Sequence, residues 1–408
     1  MRPDTRPTAG RVLFVTHNVP RFAGDAAGSF VLRLAVALQH AGVAVQVLAP
    51  GSPLLHGPDI IEGVAIERVP YAQPARMTLA YSGTMAEDVK TSWGARFALL
   101  GLLYHMRRAI RHHVRAAVRD GTPYDVVHAH WWFPSGLSAW SAGAGASLGV
   151  PLMVTMHGSD VRLAQGTKAS HGLMRRVLQR AQIRTAVSRW LARTAMQVVP
   201  DTHIEVGPMP VDSALFAPPD DDASRAGMLF VGRLNAQKGL ADVLQAMARM
   251  THSIAVLHVV GAGPDETELR NQARTLGIDS RITWHGALRQ GEIVSLYRTA
   301  SVVVVPSREE GLGLVAVEAQ LCGTAVVAYD SGGLPDVVNV VTGGTLVPPG
   351  DIDELARALD DALADDTVVS APRNAQRHNA RTAMLATFSP EAVAARYLAW
   401  YSDAMEHA

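Results

Sequence analysis

Short, nearly continuous apolar runs recur along this chain, each too brief for a helix and each followed by a helical pattern. In the first half they are "RVLFVTH" (11–17), "VAVQVLAP" (43–50), "DVVHAH" (125–130), "PLMVTMHG" (151–158) and "IRTAVS" (183–188). In the second half they are "MLFVGRL" (228–234), "IAVLHVVG" (254–261), "RITWHG" (281–286), "SVVVVPS" (301–307) and "TAVVAYD" (324–330). Apolar runs separated by helices indicate parallel sheets covered on both faces. Two such series predict an α/β chain of two Rossmann-like domains. Between them, "VGPMPVDSALFAPPDDDASRAG" (206–227) is rich in Pro and Asp and lacks periodicity, so it reads as a linker plus a loop. In each half the functional groups cluster where strands end and helices begin, the edge at which open α/β sheets bind ligands. Two such edges facing each other would form a cleft between the domains.

The bulk numbers agree. A chain of 408 residues is too long for one ordinary core. The single cysteine, Cys322, excludes an internal disulfide; it fits a reducing compartment and reads as a buried, inert thiol. The N-terminal "MRPDTRPTAGR" has no apolar core, so no secretory leader is expected. No run approaches the ~20 apolar residues of a membrane span. The expected location is cytoplasmic, and no nucleic-acid partner is expected. Net charge is zero but divided: residues 1–205 carry 22 Lys and Arg against 12 Asp and Glu, and residues 206–408 carry 15 against 25. Either the first half meets an anionic partner, or two oppositely charged domains face each other.

The densest chemistry lies in "SREEGLGLVAVEA" (307–319). The strand before it and the helix "LGLVAVEAQLCG" place Glu310 in a strand-to-helix loop and Glu318 about two turns into the helix. Gly311 and Gly313 let backbone approach a ligand, and free N–H groups at a helix start favour an anion. Carboxylates beside an anion site are suited to accepting hydrogen bonds from hydroxyls. A sugar nucleotide offers both, a diphosphate flanked by hydroxyl-bearing rings. The plain alternative, Glu favouring the positive helix end, accounts for Glu310 better than for Glu318. "GRLNAQKG" (232–239) brings Arg233 and Lys238 to another strand end, where two cations suit a diphosphate leaving group. "VGAGPDETEL" (260–269), with Gly261, is a third turn of this kind.

Four further signals keep two readings each. "DID" (351–353) resembles a metal-binding DxD, but Asp351 as N-cap with Glu354 three residues on is favoured. His128 and His130 alternate on a strand end without a zinc-like partner cluster, which points to a structural or acceptor-binding role. Trp131 and Trp132 are either exposed rings that stack on a sugar or core aromatics. Residues 96–119, "RFALLGLLYHMRRAIRHHVRAAVR", are amphipathic. Leu99, Leu103, Met106, Ile110, Val114 and Ala117 form one face, and Arg108, Arg111, Arg115 and Arg119 another. An ordinary domain helix is favoured, and peripheral contact with an anionic membrane stays open.

In their order, "GRLNAQKG", "VGAGP", "SREEGLGLVAVEAQLCGTAVVAYDSGGLPD" and "GGTLVPPGD" resemble the retaining glycosyltransferases of family 4, which have the two-domain GT-B fold. "DVVHAHWWFPSG" and "VTMHGSD" in the first half are similar to family patterns. The resemblance implies a cleft between an acceptor-binding domain (1–205) and a donor-binding domain (206–387), with a tail (388–408) returning to the first. It implies that Arg233 and Lys238 bind the donor diphosphate and that Glu310 holds hydroxyls of the transferred sugar. The turn at Gly261 belongs to the same donor side. The amides of Gly311, Leu312, Gly313 and Leu314 would lie along sugar and phosphates, and Glu318 would grip the ribose. His157 matches the His near the reacting carbon, with Asp160, His130 and Trp131 on the acceptor side. Gly24 and Gly28 match a flexible Gly-rich acceptor-side loop, although "AGDAAGS" lacks the adjacent glycines usual there. Met209 and Pro210 replace a common Asn-Gly, and Asp336 stands where Glu is commoner.

The reading is therefore transfer of a hexosyl-type sugar from a nucleoside diphosphate donor, with UDP or GDP expected, to an unidentified acceptor such as a saccharide, lipid or small metabolite. No cofactor and no metal are expected. A sugar-nucleotide epimerase of the same fold and a silent nucleotide-sugar-binding partner subunit are the rival readings.

Overall fold

In the computed structural model the chain forms two compact units, Met1–Pro210 with Pro390–Ala408, and Val211–Ser389. The structure describes residues 9–407 apart from 26, 82–84, 167, 220–224, 253, 339–343 and 365–370. The N-terminal segment 1–8, Ala26 of the Gly-rich loop, part of the Pro/Asp stretch and Gly343 of "GGTLVPPGD" lie outside the described residues.

Among the described residues the first unit holds eight strands: β1 (Arg11–Val15), β2 (Ala44–Pro50), β3 (Gly57–Ile61), β4 (Val64–Val69), β5 (Val126–His130), β6 (Leu152–Met156), β7 (Ile183–Ala186) and β8 (Glu205–Val206). Their order is β3-β4-β2-β1-β5-β6-β7-β8. Every residue of β5 and β6 is buried, which is why these runs are apolar throughout. The order reverses between β1 and β5, so the loops after these two strands flank the switch point where such sheets bind ligands.

The sheet is parallel as expected except at one edge, where the β3–β4 pair is antiparallel, with Ile61 opposite Val64. Glu62 and Gly63, both at positive φ, form the tight turn whose twist suits a hairpin.

The second unit holds β9 (Met228–Val231), β10 (Leu257–Val260), β11 (Ile282–Gly286), β12 (Val302–Val305), β13 (Ala325–Tyr329) and β14 (Thr345–Val347). The order is β11-β10-β9-β12-β13-β14, and every pair is parallel. Here the order reverses between β9 and β12. That puts "GRLNAQKG" and "SREEGLG" on either side of the switch point. Helix Ile352–Ala364 starts under Asp351, whose Oδ1 accepts the Glu354 N–H at 2.9 Å, so "DID" caps a helix.

Within the stretch read as a linker plus a loop, residues 209–216 pack against the fold. Met209, Val211 and Phe216 are buried, and the Val211 N–H donates to Phe388 O at 2.9 Å. The helix Pro390–Glu406 then lies against β5, β6, β7 and the helix Ser29–His40 of the first unit. Helix Trp93–Arg119 buries Ala98, Leu102, Met106, Ile110, Val114 and Ala117. Leu99 and Leu103, expected on that face, are half-buried flanks instead. Cys322 is buried, and burial pushes its thiol up to about 12, consistent with an inert group.

Candidate active site

The loops after β9 and β10 continue to pair beyond their strands. Gly232 N donates to Val260 O at 3.0 Å and Leu234 N to Ala262 O at 3.1 Å. A side chain at Gly261 would put its Cβ 1.9 Å from Gly232 O, so this turn is closed to any residue but glycine. Arg233 stands exposed on the rim so formed, and its guanidinium has no partner among the described residues. The Asn235 side chain accepts the Lys238 N–H at 3.2 Å and caps the single turn Ala236–Lys238. Lys238 Nζ lies 2.5 Å from Glu310 Oε2, both groups largely sheltered from solvent.

Loops after β12 and β13 hold Glu310 from below. Glu309 N donates to Ser331 Oγ at 3.0 Å, and Gly333 N donates to Glu310 O at 2.8 Å. A Cβ on Gly332, at φ 59°, would lie 2.4 Å from Glu310 O. "SGGLP" is thus the seat of the acidic loop. Arg308 N donates to Gln237 O at 2.8 Å, and the Arg308 guanidinium and Tyr329 hydroxyl both bind Asp242, at 2.9 and 2.8 Å. These contacts fix Lys238 and Glu310 to one another across the switch point. We expect Gly332→Ala to cost about 2–4 kcal/mol, from a left-handed backbone position plus overpacking. Denaturant melts check this; unchanged stability would mean that the loop is not seated as described.

Helix Leu314–Leu321 begins at Gly313 without a side-chain cap. Its first N–H groups therefore face the same edge as Lys238 and Glu310. Glu318 follows one turn further in, and Tyr297 Oη donates to Glu318 Oε2 at 2.8 Å. Burial, with the adjacent carboxylate, pushes the Tyr297 phenol well above its ordinary range, so it stays a donor. Glu318 is held in one orientation, as recognition of a hydroxyl requires.

In the first unit, His157 follows β6, and its Nε2 lies 3.2 Å from His130 Nδ1. Asp160 is buried and accepts backbone N–H groups of His157 (3.1 Å), Gly158 (3.0 Å) and Trp132 (3.0 Å). Burial nevertheless pushes its carboxyl above the usual range. Trp131 packs on the His157 ring at 4.3 Å and on His17 at 4.4 Å. Burial lowers His17 to about 4 and His130 to about 3, and holds His157 well below its usual value. The three imidazole rings are therefore neutral near pH 7. Gly28 directly precedes helix Ser29–His40. Gly24 sits in a loop organised by Asp25, which takes the Arg21 Nε at 2.7 Å and the Arg21 N–H at 3.0 Å.

The structure therefore brings Lys238 to Glu310, seats Gly311 to Leu314 beside them, and gathers His130, Trp131, His157 and Asp160 in the first unit. It does not support Trp131 and Trp132 as exposed stacking surfaces, because both are buried. His128 is structural, bound by Tyr401 Oη at 2.8 Å and Thr155 Oγ1 at 2.7 Å. Sequence reasoning missed Tyr297, Asn235 and Asp242, whose roles depend on distant partners. Among the described residues no group of three or more His, Cys, Asp or Glu is placed to hold a metal.

Comparison with known proteins adds the following. Residues 27–215 match the family model described as "Glycosyltransferase Family 4", and residues 216–383 match "Glycosyl transferases group 1". The chain is 32% identical over 413 residues to a D-inositol 3-phosphate glycosyltransferase of Mycobacterium avium, covering 94% of this chain and 90% of that protein. Among solved structures, sucrose-phosphate synthase from Thermosynechococcus elongatus is similar with TM-score 0.76 and 23% identity, covering 98% of this chain and 100% of that one. The catalytic domain of starch synthase IV from Arabidopsis thaliana, bound to ADP and acarbose, has TM-score 0.72 at 14% identity and covers 98% of this chain and 100% of that one. At those identities the structures speak for the fold.

Proposed function

This chain belongs to glycosyltransferase family 4, and from that premise we propose that it moves a hexosyl-type sugar from a UDP- or GDP-sugar to an acceptor with retention of anomeric configuration. It is a GT-B glycosyltransferase that uses a nucleotide sugar. The observation that carries the finer reading is the Lys238–Glu310 contact at the switch point of the second sheet, with Arg233 on the same loop.

On this reading the second domain holds the donor. Arg233, the two remaining N–H donors of Lys238 and the helix start at Gly313 take the diphosphate. Glu310 takes hydroxyls of the transferred sugar, and Glu318 takes the ribose. In the chemical step the acceptor hydroxyl oxygen bonds to the anomeric carbon on the face the phosphate leaves. The carbon–oxygen bond to the β-phosphate breaks, and the acceptor proton passes to a phosphate oxygen. Arg233 and Lys238 stabilise the charge that develops on the leaving group, so the step asks for no metal. In the first domain, which binds the acceptor, His157 offers a neutral ring that hydrogen-bonds a sugar hydroxyl without adding charge. The acceptor is of the saccharide, lipid or small polar metabolite class. Peripheral contact with an anionic membrane through residues 96–119 belongs to the same reading, supported by their arginine face.

A panel of nucleotide sugars screened by thermal shift tests the donor. A UDP- or GDP-sugar should raise the melting temperature, because a ligand of the native state adds to its stability. No response to any member would overturn the donor reading. Incubating the stabilising donor without acceptor separates transfer from epimerisation, since an epimerase converts the donor by itself.

A further inference from the structure

Helix Trp93–Arg119 has an outward stripe that the chemistry above does not use. Trp93, Phe97, Leu100 and Tyr104 follow each other at steps of four, three and four residues, which keeps them on one side of a helix. They are between 57% and 73% exposed, too much for core residues. The same side continues into Arg107, Arg108, Arg111, Arg115 and Arg119, which wall a groove of about 400 Å³. Opposite lies the buried row from Ala98 to Ala117 that attaches the helix to its sheet.

Two properties of this stripe choose its occupant. Residues 93–119 contain six arginines and no Asp or Glu. The nearest acids in sequence, Asp88 and Asp120, lie beyond its two ends. The apolar half is built of Trp, Phe, Leu and Tyr, side chains that settle at the level of lipid headgroups. A helix of 27 residues spans roughly 40 Å, long enough for both halves to meet one plane. No helix among the described residues is long and apolar enough to cross a membrane.

We propose that this stripe is the docking surface for an anionic lipid bilayer. Trp93, Phe97, Leu100 and Tyr104 enter the headgroup boundary, and the exposed Arg108, Arg115 and Arg119 lie on anionic headgroups, whereas Arg111 is turned to the Ala142 carbonyl at 2.8 Å. This deepens the membrane contact named above. It adds an apolar half that the arginine pattern alone does not reveal.

Sedimentation of the full chain with phosphatidylcholine vesicles, with or without phosphatidylglycerol, tests the proposal. Wild type should sediment with the anionic vesicles at low salt and be largely released at high salt. Replacing Arg108 and Arg115 together by Gln should weaken that binding about 25-fold, at about 5-fold for each lost charge near the surface. Replacing Trp93 and Phe97 together by Ser should remove the fraction that resists salt. Both double variants should keep the thermal response to the nucleotide sugar, so a failure of the donor reading and a failure of this one are told apart. No sedimentation of wild type at low salt would overturn the proposal. So would equal binding to vesicles without phosphatidylglycerol, or binding unchanged in both double variants. Self-association through this face without vesicle binding would overturn it in favour of a second copy of the chain.

Discussion

Arg233→Ala and Lys238→Ala should each lower kcat/KM by about 100-fold or more, the effect of removing a charge partner of the transition state. The diphosphate gains negative charge as the anomeric bond breaks, and a cation placed beforehand stabilises that charge without reorganisation. The two residues differ in setting. Arg233 is exposed and unpaired among the described residues, so its replacement removes only a ligand contact. Lys238 already contacts Glu310, so its replacement also leaves a carboxylate without its ammonium. Lys238→Ala should therefore also lower stability, and Lys238→Arg should restore stability better than turnover because the fork cannot repeat the compact ammonium. Steady-state kinetics with the donor found by thermal shift provide the test. Wild-type kcat/KM in both alanine variants would remove Arg233 and Lys238 from the reaction.

Glu310→Gln should lower turnover by a comparable factor while leaving the fold intact. The side chain keeps its size, and its amide carbonyl can still face the Lys238 ammonium. What is lost is a charged acceptor for the hydroxyls of the transferred sugar, and with it the orientation of the anomeric carbon. A hydrogen bond to a charged group is worth about 1.5–3 kcal/mol, or roughly 10- to 150-fold in rate if it is made fully only in the transition state. The loss should appear in kcat more than in KM, because the diphosphate and nucleoside contacts persist. Unchanged kcat would return Glu310 to a structural role as the partner of Lys238.

The two parallel sheets were legible because burial on both faces forces uninterrupted apolar runs, as in β5, β6 and β12. The β3–β4 hairpin was not, since charged residues interrupt its pattern. One of them, Arg68, is buried against Asp59 at 2.9 Å, which no local rule anticipates. Strand-to-helix loops pointed to the candidate site because strand order brings the loops after β9 and β12 together. The partnerships within it were hidden by sequence distance. Lys238 and Glu310 are 72 positions apart, and Tyr297 and Glu318 are 21 apart. Trp131 and Trp132 were left between exposed stacking rings and core aromatics, and the fold takes the second: the Asp160 backbone and side chain draw Trp132 inward, with Trp132 Nε1 donating to Asp160 O at 2.7 Å.

Calorimetric titration of a nucleoside diphosphate into wild type, Glu310→Gln and Glu318→Gln tests most directly whether this domain binds its donor as described. That ligand carries a ribose and a diphosphate but no transferred sugar. Glu318→Gln should weaken its binding by roughly 10-fold or more, since the ribose hydroxyls lose a charged acceptor that Tyr297 holds in place. Glu310→Gln should bind it nearly as wild type does. The reverse pattern would exchange the roles of the two acids, and equal wild-type affinity in both would contradict a donor site built on Glu318.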